Sequence, residues 1–85
     1  MSEYNIMTVL INHRKDSAKP VQELLTKYGC NIKVRIGLHE AETVCAEDGL
    51  LVLQLVGDQK EIKELLEKLN KLNGVQAKLT SLQSE

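Results

Sequence analysis

The sequence predicts one α+β domain in which strand, helix, strand, strand, helix and strand follow in order. They fold as a four-stranded antiparallel sheet with both helices on one face. Three observations carry this. Two segments, within residues 21–28 and 62–72, place apolar residues at the 3.6-residue spacing of a helix. Four others carry the β-branched content or two-residue alternation of strands. The order in which they interleave is that of a split β-α-β unit.

Residues 4–12 read as the first strand. Apolar side chains occupy both parities, Tyr4, Ile6 and Leu10 on one and Met7, Val9 and Ile11 on the other. Such a strand is covered on both faces. A polar connection follows at residues 12–16. Asp16 or Ser17 can cap the first helix, and Pro20 suits its first turn, where no intrahelical N–H is needed. Val21, Leu24, Leu25 and Tyr28 form its apolar stripe, and Gly29 supplies a left-handed end. Residues 30–38 read as the second strand: Ile32, Val34, Ile36 and Leu38 alternate with Asn31, Lys33, Arg35 and Gly37 in a half-buried pattern.

Residues 39–48 form a polar, acidic loop. Residues 50–56 are apolar except for Gln54, as suits a central strand. Gly57 and Asp58 open the second helix, with Glu61 three residues on in a capping-box arrangement. Its stripe is Ile62, Leu65, Leu66, Leu69 and Leu72, and its solvated face includes Lys63, Glu64, Glu67, Lys68 and Lys71. Asn73-Gly74 ends it. Val75, Ala77 and Leu79 alternate as the last strand, and residues 81–85 read as a tail. The first and third strands are then central, and the second and fourth are edges. The whole is a ferredoxin-like sandwich over residues 1–85.

Composition limits what such a domain does. The chain has 85 residues, 42% of them apolar, and no Phe or Trp, so its core is aliphatic. Eleven basic residues face twelve acidic ones. Without a basic excess to meet phosphates, direct nucleic-acid binding is not expected. No run approaches the roughly 20 apolar residues of a membrane span. Residues 1–4 lack the basic start of a secretory signal, so a cytoplasmic location is expected. Two cysteines without Cys-x-x-Cys spacing imply neither a disulfide framework nor a structural zinc site.

The loops after the first and second strands lie at one end of the sheet. That gathers His13, Arg14 and Asp16 with His39, Glu40, Glu42, Cys45, Glu47 and Asp48. Imidazole, thiolate and carboxylate are what zinc or nickel takes, and His39 and Cys45 are the residues a metal would use. Their spacing matches no metal motif, and neither metal nor cofactor is expected. The candidate ligand-binding residues are His13, Arg14, Arg35 and His39. Lys33 and Arg35, on the polar face of an edge strand, discourage strand-to-strand aggregation or contact an anion or partner. Cys30, at the start of the second strand, reads as a small core hydrophobe. It lies roughly 25 Å along the sheet from Cys45, too far for a disulfide.

No catalytic set emerges. No serine sits in a G-x-S-x-G elbow and no histidine stands at a motif spacing from a nucleophile. Gly57-Asp58 lacks the repeated glycines of a phosphate loop. His13-Arg14-Lys15 lacks the glycine of an acylphosphatase-like loop.

Two helices cover one face of a four-stranded sheet. The other face stays apolar whichever parity the central strands adopt, which predicts a homo-oligomer, a dimer or a tetramer. The expected interface is Met7, Val9 and Ile11 with Leu50, Val52 and Val56. The opposite parities, Tyr4, Ile6 and Leu10 and Leu51, Leu53 and Leu55, remain open.

Gly29-Cys30-Asn31-Ile32 resembles the turn into the second strand of ACT domains. Arg35-Ile36-Gly37-Leu38, the apolar run ending at Gly57, and the stretch from Glu61-Ile62 to Leu72-Asn73-Gly74-Val75 resemble the short stand-alone regulators of the iron-only hydrogenase system. The resemblance implies an ACT-like fold and a regulatory or sensor module without catalysis, oligomeric and binding a small ligand between subunits. The rival is a structural or assembly protein that docks a partner through its open sheet face and takes no ligand. The chain is also similar to the metal-sensing domain of nickel-responsive transcription regulators. Leu38-His39 matches the first histidine of its Leu-His-x-His sequence. The other two histidines fall on Ala41 and Tyr28, and the cysteine falls near Gly49, four residues past Cys45. At most one of four ligands is kept. The DNA-binding domain of those regulators has no counterpart before the first strand, so an effect on transcription requires a DNA-binding partner. The glycine of the Asp-x-Pro-Gly-like turn in amino-acid-binding ACT domains is missing from residues 12–16.

Overall fold

The computed structural model describes residues 2–12, 14–38 and 49–84, without the side chains of residues 14–17 and 38. The elements are β1 (Glu3–Ile11), α1 (Arg14–Lys27), a 3-10 turn (Gly29–Asn31), β2 (Ile32–Leu38), β3 (Gly49–Leu55), α2 (Gln59–Asn70) and β4 (Val75–Gln83). The strands form one antiparallel sheet in the order β2-β3-β1-β4, with β1 and β3 central.

Residues paired across antiparallel strands share a face. Met7 pairs with Leu53 and Leu79, and Val9 with Leu51 and Ala77. That face lies under the helices. Met7, Val9, Leu53 and Leu55 are fully buried there against Val21 and Leu25 of α1 and Ile62, Leu65 and Leu69 of α2. Met7, Val9 and Ile11, expected at a subunit interface, are therefore core. The pairing of Thr8 with Val52 puts Leu50, Val52 and Val56 on the opposite face. The two halves of the expected interface thus point to opposite sides of the sheet.

Several local readings change in the folded chain. α1 starts at Arg14, so Pro20 lies inside it rather than in its first turn. The helix runs on without the bond that residue 20 would donate to residue 16. Gly29 is not left-handed, because only Gly57 and Gly74 among the described glycines have positive φ. The chain instead continues into the 3-10 turn, where the Asn31 N–H donates to the Tyr28 carbonyl at 2.9 Å. Cys30, expected in the core, is exposed in that turn. β4 continues to Gln83, where a tail was expected, because Ser81, Leu82 and Gln83 pair with Asn5, Tyr4 and Glu3.

Side-chain hydrogen bonds close the sandwich at two corners. The buried Asn31 donates Nδ2 to the Val56 carbonyl at 3.1 Å, while the Val56 N–H donates to the Asn31 carbonyl at 2.8 Å. This ties the start of β2 to the end of β3. Gly57 follows at φ 96°, and a Cβ there would stand 2.9 Å from Asn31 Nδ2, so the turn requires glycine on two counts. At the other corner, Asn70 at the end of α2 pairs with the backbone of β4. Its Nδ2 donates to the Ala77 carbonyl and its Oδ1 accepts from the Ala77 N–H, at 3.0 and 2.7 Å. An amide side chain here stands in for a neighbouring strand and blunts the edge. Asp58 caps α2, its Oδ1 accepting from the Lys60 N–H at 2.9 Å.

Candidate functional site: the uncovered face of the sheet

Both helices lie on one side, so the second face of the sheet is open. β1 contributes Tyr4, Ile6 and Leu10 to it, and β3 contributes Leu50, Val52 and Val56. The edge strand β2 extends this surface. The two-residue alternation from Ile32 to Leu38 would put all its apolar side chains on one face. A register shift between Ile32 and Val34 interrupts it. Ile32 pairs with Leu55 and packs on the core, whereas Val34 pairs with Gln54 and Ile36 with Val52. A bulge flips every side chain beyond it to the other face. Val34 and Ile36 therefore stand on the open face, 41% and 48% exposed.

The same flip moves Arg35 to the helix side, opposite Leu53, where its Nη2 donates to Gln22 Oε1 on α1. Arg35 is thus held over the sheet edge and not on the open face. The alternation of Ile32, Val34, Ile36 and Leu38 predicts a half-buried strand with one unbroken apolar face, and the bulge divides that face in two.

Polarity is uneven across the open face. On the β4 side it carries Gln76, Lys78 and Thr80, paired with Leu10, Thr8 and Ile6, and then the exposed Leu82, paired with Tyr4. Toward β2 it is almost wholly aliphatic. Among the described residues whose register places them on this face, Lys78 is the only charged one. An apolar surface spanning three strands, without a carboxylate, is the mark of a contact site.

The end of the sheet where Ile11, Leu38 and Gly49 meet is defined by the pairing of Ile11 with Gly49 and of Leu38 with Leu50. The candidate residues His13, His39 and Cys45 lie outside the described residues, as does the side chain of Arg14. Arg35, the remaining candidate, sits on the edge strand as described. No described helix is long and apolar enough to cross a membrane.

A four-stranded antiparallel sheet carrying two helices on one face, in this strand order, is the ferredoxin-like, ACT-like class. Residues 3–79 match the family model described as "TM1266-like: Iron-only hydrogenase system regulator, putative", and the chain belongs to that family. Among solved structures it is similar to the uncharacterized protein TM1266 from Thermotoga maritima. The TM-score is 0.83 with 26% identity, over 96% of this chain and 100% of that one. It is also similar to the ACT domain of the GTP pyrophosphokinase of Chlorobium tepidum, with TM-score 0.65 and 15% identity over 100% and 92% of the two chains. A third is CPII from Thiomonas intermedia K12, a structure with ADP, AMP and acetate bound, with TM-score 0.57 and 13% identity over 98% and 89%. The last two likenesses are of fold. No curated protein matches the chain.

Proposed function

We propose that this protein is a non-catalytic regulatory module of the iron-only hydrogenase system, acting in the cytoplasm as a homo-oligomer joined through its open sheet face. Its family description supports the regulatory role. The observation that carries the assembly is the open face itself: Tyr4, Ile6, Leu50, Val52, Val34 and Ile36 form one largely apolar surface, with Lys78 its charged residue among the described ones. A surface so poor in charge offers nothing by which a charged partner would recognise it. It is self-complementary, because two copies related by a two-fold axis bury it against itself without charge repulsion. A domain of 85 residues also gains stability it lacks alone.

In this reading a small ligand binds between subunits, with His13, Arg14 and His39 as its contacts, while Arg35, turned to the helix side, is not among them. Any effect on transcription passes through a DNA-binding partner, since the chain has no basic surplus of its own.

Sedimentation velocity at micromolar concentration tests the assembly. The expected species is at least a dimer, and the pair Ile6→Glu and Val52→Glu returns it to the monomer with its circular dichroism unchanged. A wild-type chain that sediments as a 9.5 kDa monomer overturns the proposal. Native mass spectrometry then separates the two functional readings. A retained metabolite supports the regulator, whereas an empty oligomer supports a purely structural or assembly role.

A further inference from the structure

On the helix side of the molecule, away from the open face, a groove of about 460 Å³ runs between the two helices. Pro20, Glu23, Leu24 and Lys27 of α1 form one wall, spaced so that they share one helix face. The other wall is Lys68 and the following Lys71 and Leu72 at the end of α2. Pro20, Leu24 and Leu72 make an apolar floor. Three lysines rim it against one carboxylate, Glu23.

The lysines converge more closely than a solvated surface requires. Lys27 and Lys68 place their ammonium groups 5.9 and 5.3 Å from the centroid of the same Tyr28 ring. Tyr28 is itself buried and donates its hydroxyl to Glu64 at 3.4 Å. Each ammonium gains from the ring it approaches. The pKa of Lys27 is pulled below its ordinary 10.5, with the neighbouring Lys68 the largest cause and the Glu64 carboxylate acting in the opposite sense. Lys68 is raised, with its contact to Tyr28 the largest cause. An anion seated beside the two lysines would add a second opposing charge to that of Glu64 and keep both ring contacts.

We propose that this groove is a binding site for a small organic anion with an apolar body, its carboxylate or phosphate bridging Lys27 and Lys68 near Lys71 and its hydrocarbon lying on Pro20, Leu24 and Leu72. The volume is that of a small-ligand site, and its combination of apolar floor and few convergent charges is the pattern of such sites. The site is independent of the sheet face and of the assembly formed there.

Decanoate, kept below its micelle concentration, is the probe, read by amide chemical shifts of the full-length protein. The expected result is saturable shifts confined to residues 20–28 and 64–72. Acetate, which lacks the tail, and decyltrimethylammonium, which inverts the charge, should leave those amides in place. Lys27→Glu with Lys68→Glu should weaken decanoate by at least about tenfold, while Lys33→Glu leaves it unchanged. Decyl phosphate in place of decanoate distinguishes the two headgroups. Shifts confined to β1 and β3, equal binding of the cationic amphiphile, or a double variant that binds as wild type would each overturn the proposal.

Discussion

The two faces of β1 carry similar amounts of apolar surface and meet opposite fates. Met7, Val9 and Ile11 disappear under the helices, whereas Tyr4, Ile6 and Leu10 remain accessible on the other side. β3 repeats the division, with Leu53 and Leu55 inside and Leu50 and Val56 outside. The covered face pins each side chain against helix residues at the packing density of an interior. The open face carries Ile6, Leu10, Leu50, Val52, Val34 and Ile36 with no described element over them, and in the proposed assembly a second copy covers it. The domain therefore has one core for its own folding and one apolar surface that no described element covers.

A paired truncation is the sharpest way to break this comparison. Met7→Ala should cost about 2–5 kcal/mol in urea unfolding, since it opens a cavity among residues that close from both layers. Ile6→Ala, one position away on the open face, should cost little within the protomer and appear instead as weaker association in sedimentation. Equal protomer losses at both positions would erase the distinction between the faces.

The edge of β4 sharpens the comparison from the side. Asn70 holds both backbone groups of Ala77 from the covered face. Asn70→Ala should cost about 1–3 kcal/mol, because it leaves the Ala77 N–H and carbonyl without a partner. Amide exchange at Ala77 should quicken in the same variant. Unchanged protection would mean that the side chain contributes nothing to closing the edge.

The smallest expected effect lies on the outer surface of the helices. Lys27→Gln removes one of the two ammonium groups beside Tyr28 and should raise the urea midpoint slightly at neutral pH. The sign follows from the shift: a lysine whose folded pKa is lowered destabilises the fold where it is charged in both states. That penalty fades as pH rises through the lowered value toward 10.5. The variant and the wild type should converge above that pH. A constant difference across the range would assign the effect to packing and not to charge.

The resemblance to ACT domains and hydrogenase-system regulators, legible in residues such as Arg35-Ile36-Gly37-Leu38, agrees with the family to which residues 3–79 belong. The open face as a contact surface was legible only in part. Leu50, Val52 and Val56 are on it, whereas Met7, Val9 and Ile11 are not, and Val34 and Ile36 join it through a bulge that their alternation does not announce. His13, His39 and Cys45 lie outside the described residues.

What the amino-acid sequence determined by itself was the kind and order of the elements. Hydrophobic periodicity is a property of each segment alone, and the 3.6 and 2.0 repeats distinguish helix from strand before any packing occurs. The cap at Asp58 and the left-handed turn at Gly74 are equally local. Tertiary structure decided which side of each strand faces inward. A strand that is apolar at both parities is symmetric by its own pattern, and only the helices settling on one face break the symmetry. The bulge after Ile32 was decided in the same way, because it forms against β3 and turns Arg35 toward α1 and Val34 away from it. The reach of β4 to Gln83 likewise depends on β1 lying beside it. Its backbone groups at Ser81, Leu82 and Gln83 find partners that no alternation within residues 81–85 could announce.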